Sequence, residues 1–195
     1  MKKPFTIYFA SSNKDKLKEI KSILKSLKVK IAPNGFLVNE NSKSFLGNAA
    51  KKAYTLAKKL GVYAFSDDSG IEVFALNRKP GVKSSRFFRG GKGMLEIVQK
   101  IKNKKNKKCC FTCALVVSDP KGRIIFKTQK SWYGTVAKKP AGKHGFGYDP
   151  IFIVHRLNQT SAQLSPKLKN KLSHRAMAIK AFAKWLRKSY RKLTS

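Results

Sequence analysis

The sequence predicts an α/β domain built around a mixed sheet, and three observations carry that prediction. Short apolar runs alternate with helical spacing over the first 65 residues. Farther on, Cys109 to Ser118 and Arg123 to Lys127 flank the turn residues Asp119 to Gly122, as a hairpin requires. The chain then closes on an amphipathic helix whose stripe is Ile179, Phe182, Trp185 and Leu186 and whose other face is Lys and Arg.

Phe5 to Ala10 reads as a buried strand. Ser11, Ser12 and Asn13 supply a polar turn and an N-cap, and Leu17, Ile20, Ile23, Leu24 and Leu27 follow at helical spacing. A strand, a polar turn and a helix N-terminus make an anion site, to which Lys14 and Lys16 add charge. An ordinary capped helix with solvated lysines fits the same residues. GxxxxGK[ST] is absent, which excludes a Walker P-loop. Val29 to Ala32 is a second strand, Pro33 to Ser44 a polar loop, and Phe45 to Leu60 an Ala-rich helix stopped by Gly61.

Val62 to Phe65 reads as a strand that ends at Asp67 and Asp68. With Glu72 they put three acids within six residues, in a chain with nine acids against 44 Lys and Arg. Two carboxylates at a strand end followed by Gly70 suit a hard cation such as Mg²⁺; an Asx turn or N-cap is the other reading. Phe88 to Gly93 is a Gly-rich loop and Met94 to Ile101 a helix. Lys104 to Lys108 is a solvated run, Trp132 to Val136 a further strand, Lys138 to Gly147 a loop, and Pro150 to Val154 a strand. That loop delivers Phe146, Tyr148 and Asp149, an aromatic pair beside an acceptor, which suits a stacked and edge-bonded base or a plain buried strand start.

The length is that of one domain, residues 1–195. Cys109, Cys110 and Cys113 form neither a disulfide framework nor zinc spacing, and read as buried reduced thiols. No apolar run approaches the ~20 residues that span a bilayer. The start MKKPFTIYFASSNKDK reads as a strand rather than a signal peptide, so the expected location is cytoplasmic, with no membrane partner. The net charge of +35 permits a nucleic-acid partner or steering of a polyanionic substrate. No nucleic-acid module is recognisable, and aromatics are not interleaved with the lysines.

The segment DDSGIEVFALNRKPGVKSSR resembles the signature of the inosine triphosphate pyrophosphatase, or Ham1, family. SSNKDKLKE, ENSKSFLGNAAKKA, FGYDPIF and LSHRAMA match further family blocks in order, covering Phe5 to Ala181. The resemblance implies a long curved mixed sheet flanked by helices, two lobes with a central cleft, and a homodimer. It implies Mg²⁺-dependent (Mn²⁺ possible) hydrolysis of ITP, dITP and XTP to the monophosphate and pyrophosphate. Asp68 is then the general base, with Lys52 facing the phosphates, and Glu40, Asp68 and Asp67 hold the metal. Ser11, Ser12, Asn13, Lys14, Asp15 and Lys16 hold the triphosphate. Ser69, Phe146, Gly147, Tyr148, Asp149, Lys169, His174 and Arg175 bind substrate, with the His–Arg pair donating to a 6-oxo group. Gly47, Lys167 and Leu168 depart from the family pattern. The competing readings are a basic nucleic-acid-binding protein with a vestigial site, and a pyrophosphatase of modified pyrimidine triphosphates.

Overall fold

The computed structural model of the protein describes residues 6–24, 28–31 and 36–194. Phe5, Leu27 and Ala32 to Gly35, all expected in strand, helix or loop, lie outside the described residues. Seven strands form one mixed sheet: β1 (Thr6–Phe9), β2 (Lys28–Ile31), β3 (Ala64–Val73), β4 (Lys79–Pro80), β5 (Lys108–Ser118), β6 (Ile124–Val136) and β7 (Phe152–Val154). Their order is β2-β1-β3-β5-β6-β7, with β4 on β3. β1 is parallel to β2 and β3, whereas β4 and β7 are antiparallel to β3 and β6. The helices are α1 (Lys14–Ile23), α2 (Phe45–Leu60), α3 (Ser84–Phe88), α4 (Lys92–Ile101), α5 (Pro166–Leu172) and α6 (His174–Thr194).

The local signals explain most of these boundaries. The Asn13 side chain accepts from the Lys16 amide and starts α1. Ser44 starts α2 in the same way, and Gly61 ends it in the left-handed region at φ 61°. Three expectations need correction. β3 does not end at the aspartates but runs on through Ser69 and Gly70 to Val73, because Asp67 and Asp68 find buried partners and Ile71 and Val73 resume the apolar alternation. β6 is one strand rather than two: the polar TQKS segment between the expected halves is its more exposed middle. The Gly-rich stretch from Phe88 yields the end of α3, a tight turn and the start of α4 two residues before Met94.

The chain divides into two compact units. The first contains residues 1–68, 113–130 and 175–195, the second residues 69–112 and 131–174. In the first, α1 and α6 pack on the sheet through Ile7, Phe9, Ile20, Phe65, Leu115, Val117, Ile179, Phe182 and Leu186. Phe9, Phe65, Phe182 and Trp185 form a continuous run of ring contacts, with centroids 5.0–6.0 Å apart. In the second, Phe152 lies between Phe111 and Trp132, at 4.6 and 4.9 Å. All three cysteines are free and buried, as expected. Burial pushes the Cys110 thiol up to about 11, which leaves it inert at neutral pH.

Candidate functional site

The chemistry of the first unit gathers around consecutive residues of β3. Alternation sends the Asp67 and Asp68 side chains to opposite faces, and they meet different company. Asp67 has a side chain 1% exposed. Its Oδ1 pairs with Lys16 Nζ at 3.2 Å and its Oδ2 accepts from Arg175 Nε at 3.2 Å. Arg175 in turn donates through Nη1 to Glu19 of α1. Burial alone would lower the basicity of this guanidinium, yet Asp67 and Glu19 together raise it. The four groups form a chain of alternating acids and bases, Glu19–Arg175–Asp67–Lys16, buried at Arg175 and Asp67.

Asp68 accepts at Oδ2 from Asn48 Nδ2, 3.0 Å away, and Asn48 Oδ1 accepts from the Ser42 amide. Asn48 and Lys52 are one turn apart on the same face of α2. Lys52 Nζ reaches Glu40 Oε1 at 2.6 Å and the Asp67 carbonyl at 2.8 Å. Burial, above all, raises the Asp68 carboxyl above the ordinary range. Lys52, the Asn48 hydrogen bond and Lys16 pull it back, and the Glu40 charge pushes it up. The half-buried Ser11 and the exposed Ser12 and Asn13 lead into α1, whose first residues Lys14 and Asp15 are exposed, and Ser11 Oγ accepts from the Asn13 amide at 3.2 Å. Gly47 lies close against Ser42: a Cβ there would stand 2.1 Å from Ser42 Oγ.

In the second unit Asp149 is the hub. Its Oδ2 accepts from Lys169 Nζ at 2.6 Å and from the Phe146 amide at 2.8 Å, and its Oδ1 from Ser161 Oγ. Gly145 approaches so closely that a Cβ would lie 2.1 Å from Asp149 Oδ2, at φ 77°. Lys169 Nζ also sits 5.0 Å from the centroid of the half-buried Phe146 ring. Gly147 is left-handed with open space at its Cβ position. Tyr148 donates its hydroxyl to the Ser84 carbonyl at 2.8 Å and meets Phe88 edge-on. His174 is buried and stacks on Phe111, 4.8 Å away. Ser69 is partly buried on β3.

The structure therefore brings Asp68, Glu40 and Lys52 together, and Phe146, Asp149 and Lys169 together. Arg175 gives its Nε to Asp67 and its Nη1 to Glu19, and the Asp67 carboxylate meets Arg175 and Lys16. Sequence reading missed Asn48, Glu19 and Ser161. Asn48 was within reach, because Asn48 and Lys52 repeat at i, i+4 in the quoted block; Glu19 and Ser161 carry no local signal.

Fold and site together define an α/β protein whose mixed sheet carries a carboxylate–lysine cluster. Residues 7–185 match the model of the Ham1 family, and the chain belongs to that family. It is 40% identical over 190 residues to the dITP/XTP pyrophosphatase of Bdellovibrio bacteriovorus, covering 90% of this chain and 94% of the relative. It is 35% identical over 177 residues to the dITP/XTP pyrophosphatase of Prochlorococcus marinus, covering 89% and 93%. The solved structure of a HAM1 protein from Coxiella burnetii aligns with a TM-score of 0.85 at 32% identity, over 94% of this chain and 99% of that one. No helix among the described residues is long and apolar enough to cross a membrane.

Proposed function

We propose that this protein hydrolyses the triphosphates of deaminated purines, ITP, dITP and XTP, to the monophosphate and pyrophosphate. The relatives named dITP/XTP pyrophosphatase support the reaction, and one observation carries the chemistry. A buried carboxylate with raised proton affinity, Asp68, stands among Asn48, Lys52 and the influence of Glu40. A carboxylate so placed is a better general base than an exposed one.

The donor set fits a hard divalent cation. Glu40 and Asp68 are oxygen donors whose charges act against each other, and a dication between such groups removes that repulsion. Among the described residues no three acid, His or Cys side chains form a ready cage. Mg²⁺ suits such a site, since it is held by one or two carboxylates and completes its shell with water and phosphate oxygens; Mn²⁺ shares the preference. When bound, the cation supplies charge neutralisation on the phosphates and acidifies water.

The chain's own residues do the rest. Asp68 takes the proton from the attacking water, while Asn48 fixes its Oδ2. Lys52 and Lys16 carry positive charge toward the phosphates, and the Ser11 to Asp15 segment receives them at the start of α1. Asp67 ties Lys16 to Arg175. Phe146 stacks on the base within the loop that Asp149 fastens, flanked by Gly147 and Tyr148. Lys169, 5.0 Å from the Phe146 ring, and His174 are the donors for a 6-oxo group. A 6-amino group would leave such donors without an acceptor. We further infer one catalytic domain over the whole chain, a homodimer and a cytoplasmic location, all supported by family membership and none required by the chemistry. Identifying the products tests the reaction: pyrophosphate with IMP from ITP is expected, and orthophosphate with IDP would overturn it.

A further inference from the structure

We propose that a lysine patch on the second unit binds double-stranded nucleic acid through its phosphates, independently of hydrolysis. Two segments far apart in sequence supply it. Lys102 to Lys108, the turn after α4 and the start of β5, holds only Lys and Asn. Lys138 and Lys139 follow the end of β6. The Val136 amide donates to the Lys107 carbonyl at 2.9 Å and joins the two. Lys104, Lys105, Lys108, Lys138 and Lys139 all stand within three residues of that bond, and all are exposed. Lys107 is half-buried, and its Nζ donates to the carbonyls of Ile101 and Lys102. That satisfies the negative end of α4 and ties down the turn. The second unit has three acids, Glu72, Glu96 and Asp149. Each holds a cation outside the patch: Arg78 for Glu72, Arg89 and Lys100 for Glu96, and Lys169 for Asp149. Among the described residues, none of the five exposed lysines is paired with an acid of either unit.

The composition of the segments decides among polyanions. Stable attachment to a membrane takes a second signal beside a basic patch, such as an inserted apolar face. Residues 102–108 and 138–139 have no apolar side chain to insert. Binding of single strands relies on aromatic platforms for stacked bases, and these segments hold no aromatic either. A duplex asks only for cations, since it carries one charge per ~1.7 Å of its axis. The exposed Asn103 and Asn106 add amide donors for phosphate oxygens. Contacts to phosphate carry no base information, so the binding is sequence-independent and salt-dependent.

The test is fluorescence anisotropy of the whole protein with a labelled 20-base-pair DNA duplex across a series of salt concentrations. One pair variant, Lys104→Gln with Lys105→Gln, removes charge from the first segment, and another, Lys138→Gln with Lys139→Gln, from the second; a quadruple variant combines them. A control pair, Lys184→Gln with Lys188→Gln, removes two exposed charges from α6. Each patch pair should flatten the slope of log K against log salt by about 1.8, and the quadruple variant by about 3.6, at ~0.9 per lost phosphate contact. The control should leave the slope within about half a unit of the unmodified protein, and all four variants should keep its far-ultraviolet circular dichroism. Equal flattening by the control would overturn the proposal in favour of diffuse charge, and flattening by one patch pair alone would overturn the joint patch. No measurable duplex binding by the unmodified protein would overturn it outright. Tighter binding of the matching single strand would overturn it in favour of base stacking, and binding to phosphatidylserine vesicles but not to the duplex in favour of a lipid surface.

Discussion

Arg175 offers the sharpest mechanical prediction, because the structure ties it to two carboxylates. Consider Arg175→Ala. The residue is 3% exposed and its guanidinium lies between Asp67 and Glu19. Truncation takes a cation from the nearly inaccessible Asp67 carboxylate, which keeps Lys16 3.2 Å away, and a cation from Glu19. Removing one partner of a buried ion pair costs about 3–5 kcal/mol, since the remaining charge stays desolvated. For a chain of this size each kcal/mol lowers Tm by roughly 2–4 °C, so the fall is roughly 6–20 °C. Differential scanning calorimetry of the unmodified protein and of Arg175→Ala, Glu19→Gln and the double variant measures it. The two changes should be strongly non-additive, because they share one ion pair. A Tm within about 2 °C of the unmodified protein, with the ratio of ITP to ATP turnover collapsed, would refute the reasoning and return Arg175 to the base.

Asp68→Asn should abolish pyrophosphate release while leaving Tm equal or higher. A carboxyl whose folded pKa is raised stabilises the fold only below its unfolded pKa and loses that contribution as pH rises through the folded value; at neutral pH its charge is a burden that Asn lifts. Asn48→Ala removes an interaction that favours the ionised form, so the acidic limb of the pH profile of kcat/KM should move to higher pH; an unmoved limb would detach Asp68 from the base role. Excess EDTA should stop hydrolysis and leave the far-ultraviolet circular dichroism unchanged, with activity restored by Mg²⁺; full activity in EDTA would contradict the cation requirement.

Much of this was legible before any coordinates. Caps and breakers at Asn13, Ser44 and Gly61 mark α1 and α2, because each acts on its own neighbouring amides and carbonyls. β3 was harder. Asp-Asp-Ser-Gly carries turn chemistry locally, and what keeps it extended lies far off in sequence: the neighbouring strands of the sheet and, for Asp67, ion pairs with Lys16 and Arg175, 51 and 108 positions away. The same distance effect hid the role of Arg175: a His–Arg pair in isolation has the donors for a carbonyl, and Glu19, 156 positions upstream, is invisible to any local pattern. Asp149 shows the converse. Its place beside Phe146 was readable, but its saturation by Lys169, Ser161 and the Phe146 amide makes it the fastener of the loop. Asn48 lay in plain view on the face of Lys52, and only its partner was missing.

The central claim is that this chain removes pyrophosphate from deaminated purine triphosphates in preference to the standard ones. Its most direct test is kcat/KM for ITP, XTP, dUTP, ATP and GTP with Mg²⁺, each followed by pyrophosphate release. One stranded buried donor costs about 1–3 kcal/mol, or roughly tenfold per 1.4 kcal/mol. With Lys169 and His174 both meeting the 6-oxo group, ITP and XTP should exceed ATP by at least ~30-fold, with dUTP near the ATP level. Equal turnover of ATP and ITP, preferred turnover of dUTP, or no pyrophosphate from any of the five would contradict the account.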